Sequence, residues 1–212
     1  MKITLIEKNR KNKDMLSVYT DGKFAFTISE SNFLSLNLYE GMDISEETVD
    51  YVKNTLNFLE AKARAVRFLT MRLRTEKEVR DKLHEIGYDN ECTEKVVNEL
   101  KAIGYINDTL YAQKYIYDRS KLKPLSRKLM KRQLLLRGIS EDIADEVLKD
   151  WKVDDFTVAK SLLKRKYGKY DINDEKIQKK ARSFLMYRGF SISTINEVLR
   201  DMAEDADGQD EV

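Results

Sequence analysis

The sequence repeats one pattern three times, and this repetition is its strongest constraint on the fold. Gly87, Gly138 and Gly189 are separated by 51 residues in both intervals. A leucine precedes each glycine by four residues, a large apolar residue follows it directly, and two apolar residues come nine and ten positions later. These columns are Leu83, Leu134 and Leu185; Tyr88, Ile139 and Phe190; and Val96-Val97, Val147-Leu148 and Val198-Leu199. Regular internal spacing predicts a row of similar modules that bury their apolar faces against neighbours.

Each column has a physical meaning in a helical module. The glycine suits a helix C-terminus, where a positive φ is needed and glycine adopts it at little cost. The leucine four residues earlier lies on the last turn and faces the core. The apolar residue after the glycine folds back onto that turn, and the later pair lies on the next helix. The predicted module is therefore two helices, a glycine stop and a third helix.

The pattern divides most of the chain into three repeats, at 61–107, 108–152 and 153–202. Thr75 with Glu78 forms a capping-box signature in the first repeat, and Ser126 occupies the same offset in the second. The third has a longer loop, 167–173, between its first two helices. The column formed by Ala61 and Ala112 is therefore shifted by about four residues there, if Ala159 is the counterpart.

The N-terminal part follows a different pattern. Residues 1–44 are predicted to form a β-rich module with strands at Lys2–Lys8, Met15–Thr20 and Lys23–Thr27, because these stretches are rich in β-branched and aromatic residues. Asp21-Gly22 is a two-residue hairpin signal, and a short helix is expected over Glu30–Leu38. Ser45 caps a long helix over 45–60 that leads into the first repeat. Its apolar residues form a seam, which we expect to pack in the core; the alternative is contact with a partner. They are Val49, Val52, Leu56, Leu59, Ala63 and Val66.

The predicted fold class is therefore mainly α: tandem three-helix repeats in an elongated, curved array, with a small N-terminal β-hairpin or sheet module. The charged fraction of 36% and the single proline favour such a helical chain with much solvated surface. The segment 203–212 carries five acidic residues and no lysine or arginine. We expect it to be disordered and to compete with DNA for basic surfaces.

The residues that carry chemistry argue against an enzyme. Cys92 and His84 are the only cysteine and histidine, so neither a disulfide nor a tetrahedral zinc site is expected. No glycine-rich phosphate loop or nucleophile–base set is present. The sequence therefore predicts no catalytic residue, no metal and no cofactor. It also has no long apolar run and no signal-peptide core, so we expect a cytoplasmic monomer without membrane contact.

The informative chemistry is basic. The segment from residue 119 to residue 137 holds eight cationic residues and no acid: Arg119, Lys121, Lys123, Arg127, Lys128, Lys131, Arg132 and Arg137. On a helical wheel the cations at 127, 128, 131 and 132 share one side, opposite an apolar side. Further candidates are Arg72 and Arg74 in the first repeat, and Lys164, Arg165 and Lys166 in the third. Such surfaces suit a phosphate backbone or an acidic protein surface, and a merely solvated face has the same pattern.

Three stretches resemble the RecX family of regulatory proteins. They are AKARAVRFLTMRLRTEKEVRDKLHEIGY from Ala61, VVNELKAIGYINDTLYAQKYIYDRS from Val96, and LMKRQLLLRGIS from Leu129. The likeness covers about 61–200, and the N-terminal hairpin resembles that of members from Gram-positive-type bacteria. Lys123-Pro124 departs from the pattern, because the family often has a glycine near that point.

The resemblance implies a function as well as a fold. It implies a cytoplasmic protein that lies in the groove of the RecA–DNA filament, restrains RecA and hydrolyses nothing itself. Its partners would be the RecA filament and single- or double-stranded DNA, contacted through the phosphate backbone. The residues on matching motif positions are Arg72, Arg74, Arg127, Lys128, Lys131 and Arg132. The alternative is a regulator that binds DNA directly through helix-turn-helix-like repeats.

Overall fold

The protein is mainly helical, with a small sheet at its N-terminus, as the repeat pattern predicted. The computed structural model describes residues 1–9 and 12–207. The chain divides into two compact units, Met1–Asp108 and Thr109–Val212. Within the described residues, no helix combines the length and apolar character needed to cross a bilayer. The strands are β1 (Ile3–Lys8), β2 (Met15–Thr20) and β3 (Lys23–Ser29), and the helices are α1 (Glu30–Ser35), α2 (Glu46–Tyr51), α3 (Asn57–Thr70), α4 (Glu76–Ile86), α5 (Asn90–Ala102), α6 (Asp108–Leu122), α7 (Arg127–Leu136), α8 (Glu141–Asp150), α9 (Asp155–Tyr167), α10 (Glu175–Tyr187) and α11 (Ile192–Asp207).

The N-terminal module is a three-stranded antiparallel sheet in the order β1-β2-β3. Asp21 and Gly22 both have positive φ, 47° and 76°, and form the tight turn that the sequence predicted between β2 and β3. The Asp21 carboxylate also accepts a hydrogen bond from the Lys2 backbone at 2.9 Å. One face of the sheet contributes Val18 and Phe26 to a buried cluster that also holds Val49 of α2 and Val52, which follows α2. This module is therefore a sheet-on-helix core.

A π-helical segment, Val52–Leu56, joins α2 to α3 and changes which residues face inward. The regular seam predicted Leu59 and Ala63 in the core, and this was wrong: Leu59 is 57% exposed and Ala63 is also exposed. Each π turn shifts the helix phase, so Ala61 and Ala65 take the buried positions instead. The buried Asn57 amide donates to the Thr27 carbonyl oxygen at 2.7 Å, which anchors the segment to β3.

The three repeats have separate cores that are built alike. Helices α3–α5, α6–α8 and α9–α11 each enclose one cluster of buried side chains. The alanines at 61, 112 and 159, which the repeats suggest are counterparts, are all fully buried. Each cluster contains the leucine, post-glycine and paired apolar columns of its repeat. The sequence columns are therefore the core positions of the modules.

The glycine stops have the predicted geometry. Gly87, Gly138 and Gly189 have φ of 113°, 86° and 84°. In each repeat the residue after the glycine donates its N–H to the carbonyl of the buried leucine, and each of these bonds is 3.2 Å long. This is the bond that closes a Schellman-type helix end. The common geometry explains why the leucine, the glycine and the apolar residue recur together.

A second repeated contact ties each middle helix to the start of the next repeat. The Glu76 N–H, on the first residue of α4, donates to the carboxylate of Asp108 at 2.8 Å. In the following repeat the Arg127 N–H donates to the carboxylate of Asp155 at 2.8 Å. The two acceptors are the first residues of α6 and α9, and they satisfy free N–H groups at the helix N-termini. The contact of Asp155 links the second and third repeats within the second unit, and the contact of Asp108 lies within the first unit.

The acidic segment 203–212 is not disordered at its beginning, in contrast to the prediction. Residues 203–207 continue α11, because this helix remains packed on α9 through buried residues such as Val198, Leu199 and Met202. The Asp205 carboxylate lies beside α9 and accepts from Lys160 at 3.1 Å and Lys164 at 3.2 Å. Residues 208–212, which hold the remaining acids Asp210 and Glu211, lie outside the described part of the chain.

Candidate partner-binding surface

Helix α7 positions the main group of predicted basic residues. It begins at a fully buried cap, Ser126, whose hydroxyl accepts from the Leu129 N–H at 3.2 Å. Met130 and Leu134 point into the core of the second repeat. Since they occupy the inner side, Lys128 and Arg132 lie exposed one turn apart. The cap and the two core residues therefore fix the direction in which these cations point.

The four cations of α7 have different environments. Arg127 donates to the Trp151 carbonyl at 2.5 Å, which commits its guanidinium to the end of α8. Lys131 forms ion pairs of 2.7 Å with both Glu141 and Asp145 on α8. Hydrogen bonds to Asp145 and Glu141 raise the pKa of Lys131. The sequence predicted a face of one sign, but carboxylates of the next helix neutralise part of it.

Lys128 and Arg132 keep their charges available. Among the described residues neither forms an ion pair, and both side chains are exposed. Leu136, one turn beyond Arg132, is 69% exposed. The reason is that α7 ends at this residue, so nothing covers it there. Lys128, Arg132, Leu135 and Leu136 form a surface that we call the α7 strip.

The neighbouring cations of the second repeat pack on tyrosines. The guanidiniums of Arg119 and Arg137 lie 5.3 and 4.8 Å from the centre of the Tyr115 ring, whose hydroxyl contacts Gln133. Lys121 lies 5.7 Å from the Tyr117 ring, and Lys123 is exposed in the loop after α6. Cation–π contacts of this kind hold the charged heads at fixed places on the surface.

Two cations that are distant in the sequence come together at one cavity of the second unit. Lys121 and Arg165 both line a cavity of about 440 Å³, whose wall includes Leu125, Met130 and Trp151. Tyr117, Ser120 and Ser161 add hydroxyl groups. The sequence placed Lys121 and Arg165 in separate clusters, because nothing in it shows that α6 and α9 approach each other here.

The arginines of the first repeat lie in a different environment from the one expected. Arg74 is largely buried: its guanidinium stacks on the Phe68 ring at 3.9 Å and lies 3.7 Å from Glu78. Arg72 pairs with the same carboxylate at 2.7 Å. Glu78 also closes the capping box of α4 with Thr75. Both arginines therefore stabilise the start of α4, and Arg74 offers little surface to a partner.

The third repeat holds a group of residues that the sequence reasoning missed. Lys164 is paired with Asp205, whereas Lys166 lies 4.0 Å from the Phe184 ring. Lys179, Lys180 and Tyr187 from α10 line the same shallow depression as Lys166. The signal was present in the sequence, since 176, 180, 183 and 187 share one side of a helix.

The remaining candidates show no sign of a reaction centre. Cys92 is buried, and burial raises the pKa of its thiol to about 12. His84 is partly buried, and its ring contacts the Tyr88 carbonyl at 3.3 Å. Within residues 1–9 and 12–207, His, Cys, Asp and Glu side chains do not gather in a group of three or more that could hold a metal ion.

The fold and this surface define a class: a helical protein of repeated three-helix modules that presents cations and apolar side chains outward. Four models of RecX domains match consecutive segments of this chain. The N-terminal domain of regulatory protein RecX matches residues 1–45, and the first, second and third three-helix domains of RecX match 61–100, 107–148 and 153–199. The chain belongs to the RecX family of regulatory proteins.

Similar proteins support this assignment along nearly the whole chain. Regulatory protein RecX of Clostridium beijerinckii is 31% identical over 97% of this chain and 98% of its own length. That of Clostridium acetobutylicum is 30% identical over 94% and 95%. A crystal structure of regulatory protein RecX superposes with a TM-score of 0.61 at 26% identity, covering 94% of this chain and 98% of the other. The crystal structure of RecX from Lactobacillus salivarius superposes with a TM-score of 0.60 at 25% identity, covering 68% of this chain and 96% of the other. The family supports a regulatory role.

Proposed function

We propose that this protein binds the RecA–DNA filament in the cytoplasm, as a monomer, and inhibits RecA recombinase and ATPase activity without catalysing a reaction. The family membership gives the regulatory role, and the resemblance of the repeats to RecX implies the partner. The observation that carries the proposal is the α7 strip, in which the free cations Lys128 and Arg132 adjoin the exposed Leu136.

The composition of this strip favours a protein–DNA filament over naked DNA. Phosphates attract Lys128 and Arg132, but they offer nothing to an exposed leucine. Exposed apolar area with an arginine beside it suits a protein interface, because the core of such an interface is apolar and arginine is enriched there. A filament supplies protein surface and nucleic acid together. The alternative, a regulator that acts through DNA alone, leaves Leu135 and Leu136 without a role.

The test is the ATPase activity of RecA on single-stranded DNA with the protein titrated in. Wild-type protein lowers the rate, and a Lys128→Glu/Arg132→Glu variant requires a concentration at least about tenfold higher, because like charges now face the filament. Lys13→Glu/Lys23→Glu makes the same change in net charge on the N-terminal module and serves as the matched control. Unchanged RecA activity with wild-type protein contradicts the proposal.

Leu136 separates the two functions. Leu136→Ala removes exposed apolar surface and no charge, so it leaves the helix and naked-DNA binding intact. It weakens inhibition of RecA if the strip contacts protein. Equal inhibition by wild type and Leu136→Ala, together with salt-sensitive binding to naked DNA, would instead support the DNA-binding regulator.

A further inference from the structure

The third repeat presents an aromatic ring to solvent among cations. Tyr187, on the last turn of α10, is 88% exposed, more than any other large apolar or aromatic side chain recorded among the described residues. It borders a shallow depression with Lys166, Lys179, Lys180 and Phe184. A ring exposed to this extent contributes almost nothing to the core, because it buries little area.

The cations around this ring are held in place by other contacts. The Lys166 ammonium lies 4.0 Å from the centre of the Phe184 ring, and the Arg188 guanidinium lies 4.8 Å from it. Arg188 also donates to the Pro124 carbonyl at 2.7 Å. Two cations on one ring keep the surface around Tyr187 ordered before any ligand binds.

The surface has an excess of positive charge. Lys179 pairs with Glu175, but within the described residues Lys166, Lys180 and Arg188 form no ion pair. Burial and the positive charge of nearby Arg165 lower the pKa of Arg188, so a further cation lies close to this surface. An anionic partner is therefore favoured over a neutral one.

The spacing on α10 fits a chain of alternating charges and rings. Lys180, Ser183 and Tyr187 follow each other at i, i+3 and i+7 on one side of the helix, with about 10 Å of rise between the lysine and the tyrosine. Serine between them is small and leaves the approach to the ring open. Single-stranded nucleic acids are bound by this combination, in which cations follow the backbone and rings stack on bases.

We infer that the surface formed by Lys166, Lys180, Tyr187 and Arg188 binds single-stranded nucleic acid directly, with one unpaired base stacked on the Tyr187 ring. A duplex hides the faces of its bases and cannot use the ring. An acidic protein could use the cations and cover the ring, but cations that follow a backbone beside a flat, open ring match a single strand more closely. The role of this binding in the cell rests on the proposed function, but the binding itself requires no RecA.

The experiment measures binding of a labelled oligothymidylate of about 16 nucleotides by fluorescence anisotropy, with no RecA present. Tyr187→Ala weakens binding about tenfold, whereas Tyr187→Phe keeps the ring and binds like wild type. Tyr39→Ala removes another exposed tyrosine, in the first unit, and is the matched control. Lys180→Gln lowers the slope of log affinity against log salt by about 0.7, as the loss of one phosphate contact requires.

Three outcomes overturn the inference. The first is wild-type affinity of Tyr187→Ala for the oligothymidylate, and the second is equal weakening by Tyr187→Phe and Tyr187→Ala. The third is an equal effect of Tyr187→Ala on a blunt duplex of the same length or on poly-glutamate, which assigns the surface to any polyanion. Since RecA is absent, these results are independent of the ATPase test: a protein that binds the strand through Tyr187 but leaves RecA unaffected refutes only the proposed function.

Discussion

The Ser126 hydroxyl donates a hydrogen bond of 2.7 Å to the carbonyl oxygen of Gly189, 63 residues away in the sequence. The Ser126 N–H donates to the neighbouring Arg188 carbonyl at 3.0 Å. The cap of α7 in the second repeat thus also holds the glycine stop of the third repeat. One serine serves both a local helix start and the junction between two modules.

This junction predicts that Gly189 tolerates no side chain. A Cβ on Gly189 would lie 2.6 Å from the Leu129 Cβ and 2.7 Å from the Ser126 hydroxyl, and its φ of 84° strains any other residue. Gly189→Ala should therefore lower the free energy of unfolding by about 2–5 kcal/mol, combining backbone strain with overpacking. Gly104→Ala is the control, because Gly104 has a similar φ of 81° with open space around it. It should cost only about 1–2 kcal/mol, and equal losses in urea unfolding would contradict the crowding.

The double role of Ser126 makes a second prediction. Ser126→Ala removes the cap of α7 and leaves the Gly189 carbonyl without this donor, so unfolding should become easier by about 2–3 kcal/mol. Ser140 caps α8 in the same way but is exposed and, among described contacts, bonds only locally. Ser140→Ala should cost about 1 kcal/mol. Thermal or urea unfolding of the two variants measures the difference, and similar losses would show that the junction contributes nothing.

Sequence periodicity predicted the modules because their core positions are set within one repeat. The columns at Leu83, Tyr88 and Val96 depend on local helix geometry and a glycine stop, and both leave a regular trace in the sequence. The seam of the long N-terminal helix failed at Leu59 for a related reason. A π segment shifts the helical phase without any marker residue, so a constant period misplaces Leu59 and Ala63, which follow it.

The binding surface was less predictable, because charge neutralisation depends on neighbouring helices. The sequence of α7 predicts that Lys131 is a free cation, but Glu141 and Asp145 of α8 form ion pairs with it. Arg74 was a candidate for partner contact, but its guanidinium stacks on the Phe68 ring. Tyr187 could have been noticed from its side of α10, but helical position alone does not show that a ring remains uncovered. Contacts of this kind require the tertiary structure.

The environment of Cys92 predicts an unreactive thiol. Burial raises its pKa to about 12, and the nearby Asp89 carboxylate acts in the same direction. The thiolate is the reactive form, so the native protein should resist an aromatic disulfide reagent at pH 8 over times in which unfolded protein reacts fully. Labelling in the presence and absence of urea measures this. Fast, stoichiometric reaction of the folded protein would show that the thiol is accessible.

The contacts of Asp205 predict a pH dependence at the end of α11. Hydrogen bonds from Lys160 and Lys164 lower the pKa of this carboxyl group. A lowered folded-state pKa means that the contribution to stability is present above the ordinary carboxyl value, about pH 4, and is lost as the pH falls below it. The amide protection factors in the last turns of α11, which are corrected for the intrinsic pH dependence of exchange, should therefore fall below about pH 4 in the wild type.

Asp205→Asn tests the assignment, because it removes the charge while keeping the shape of the side chain. In this variant the protection factors of the last turns of α11 should be lower at neutral pH and change little further on acidification. The freed Lys164 should also raise the affinity for oligothymidylate modestly, about two- to threefold, since one more cation becomes available to phosphate. Asp201→Asn is the matched control, because Asp201 pairs with Lys160 but forms no ion pair with Lys164 among the described residues. An identical gain in affinity from both variants would mean that Lys164 is not the cation that Asp205 restrains.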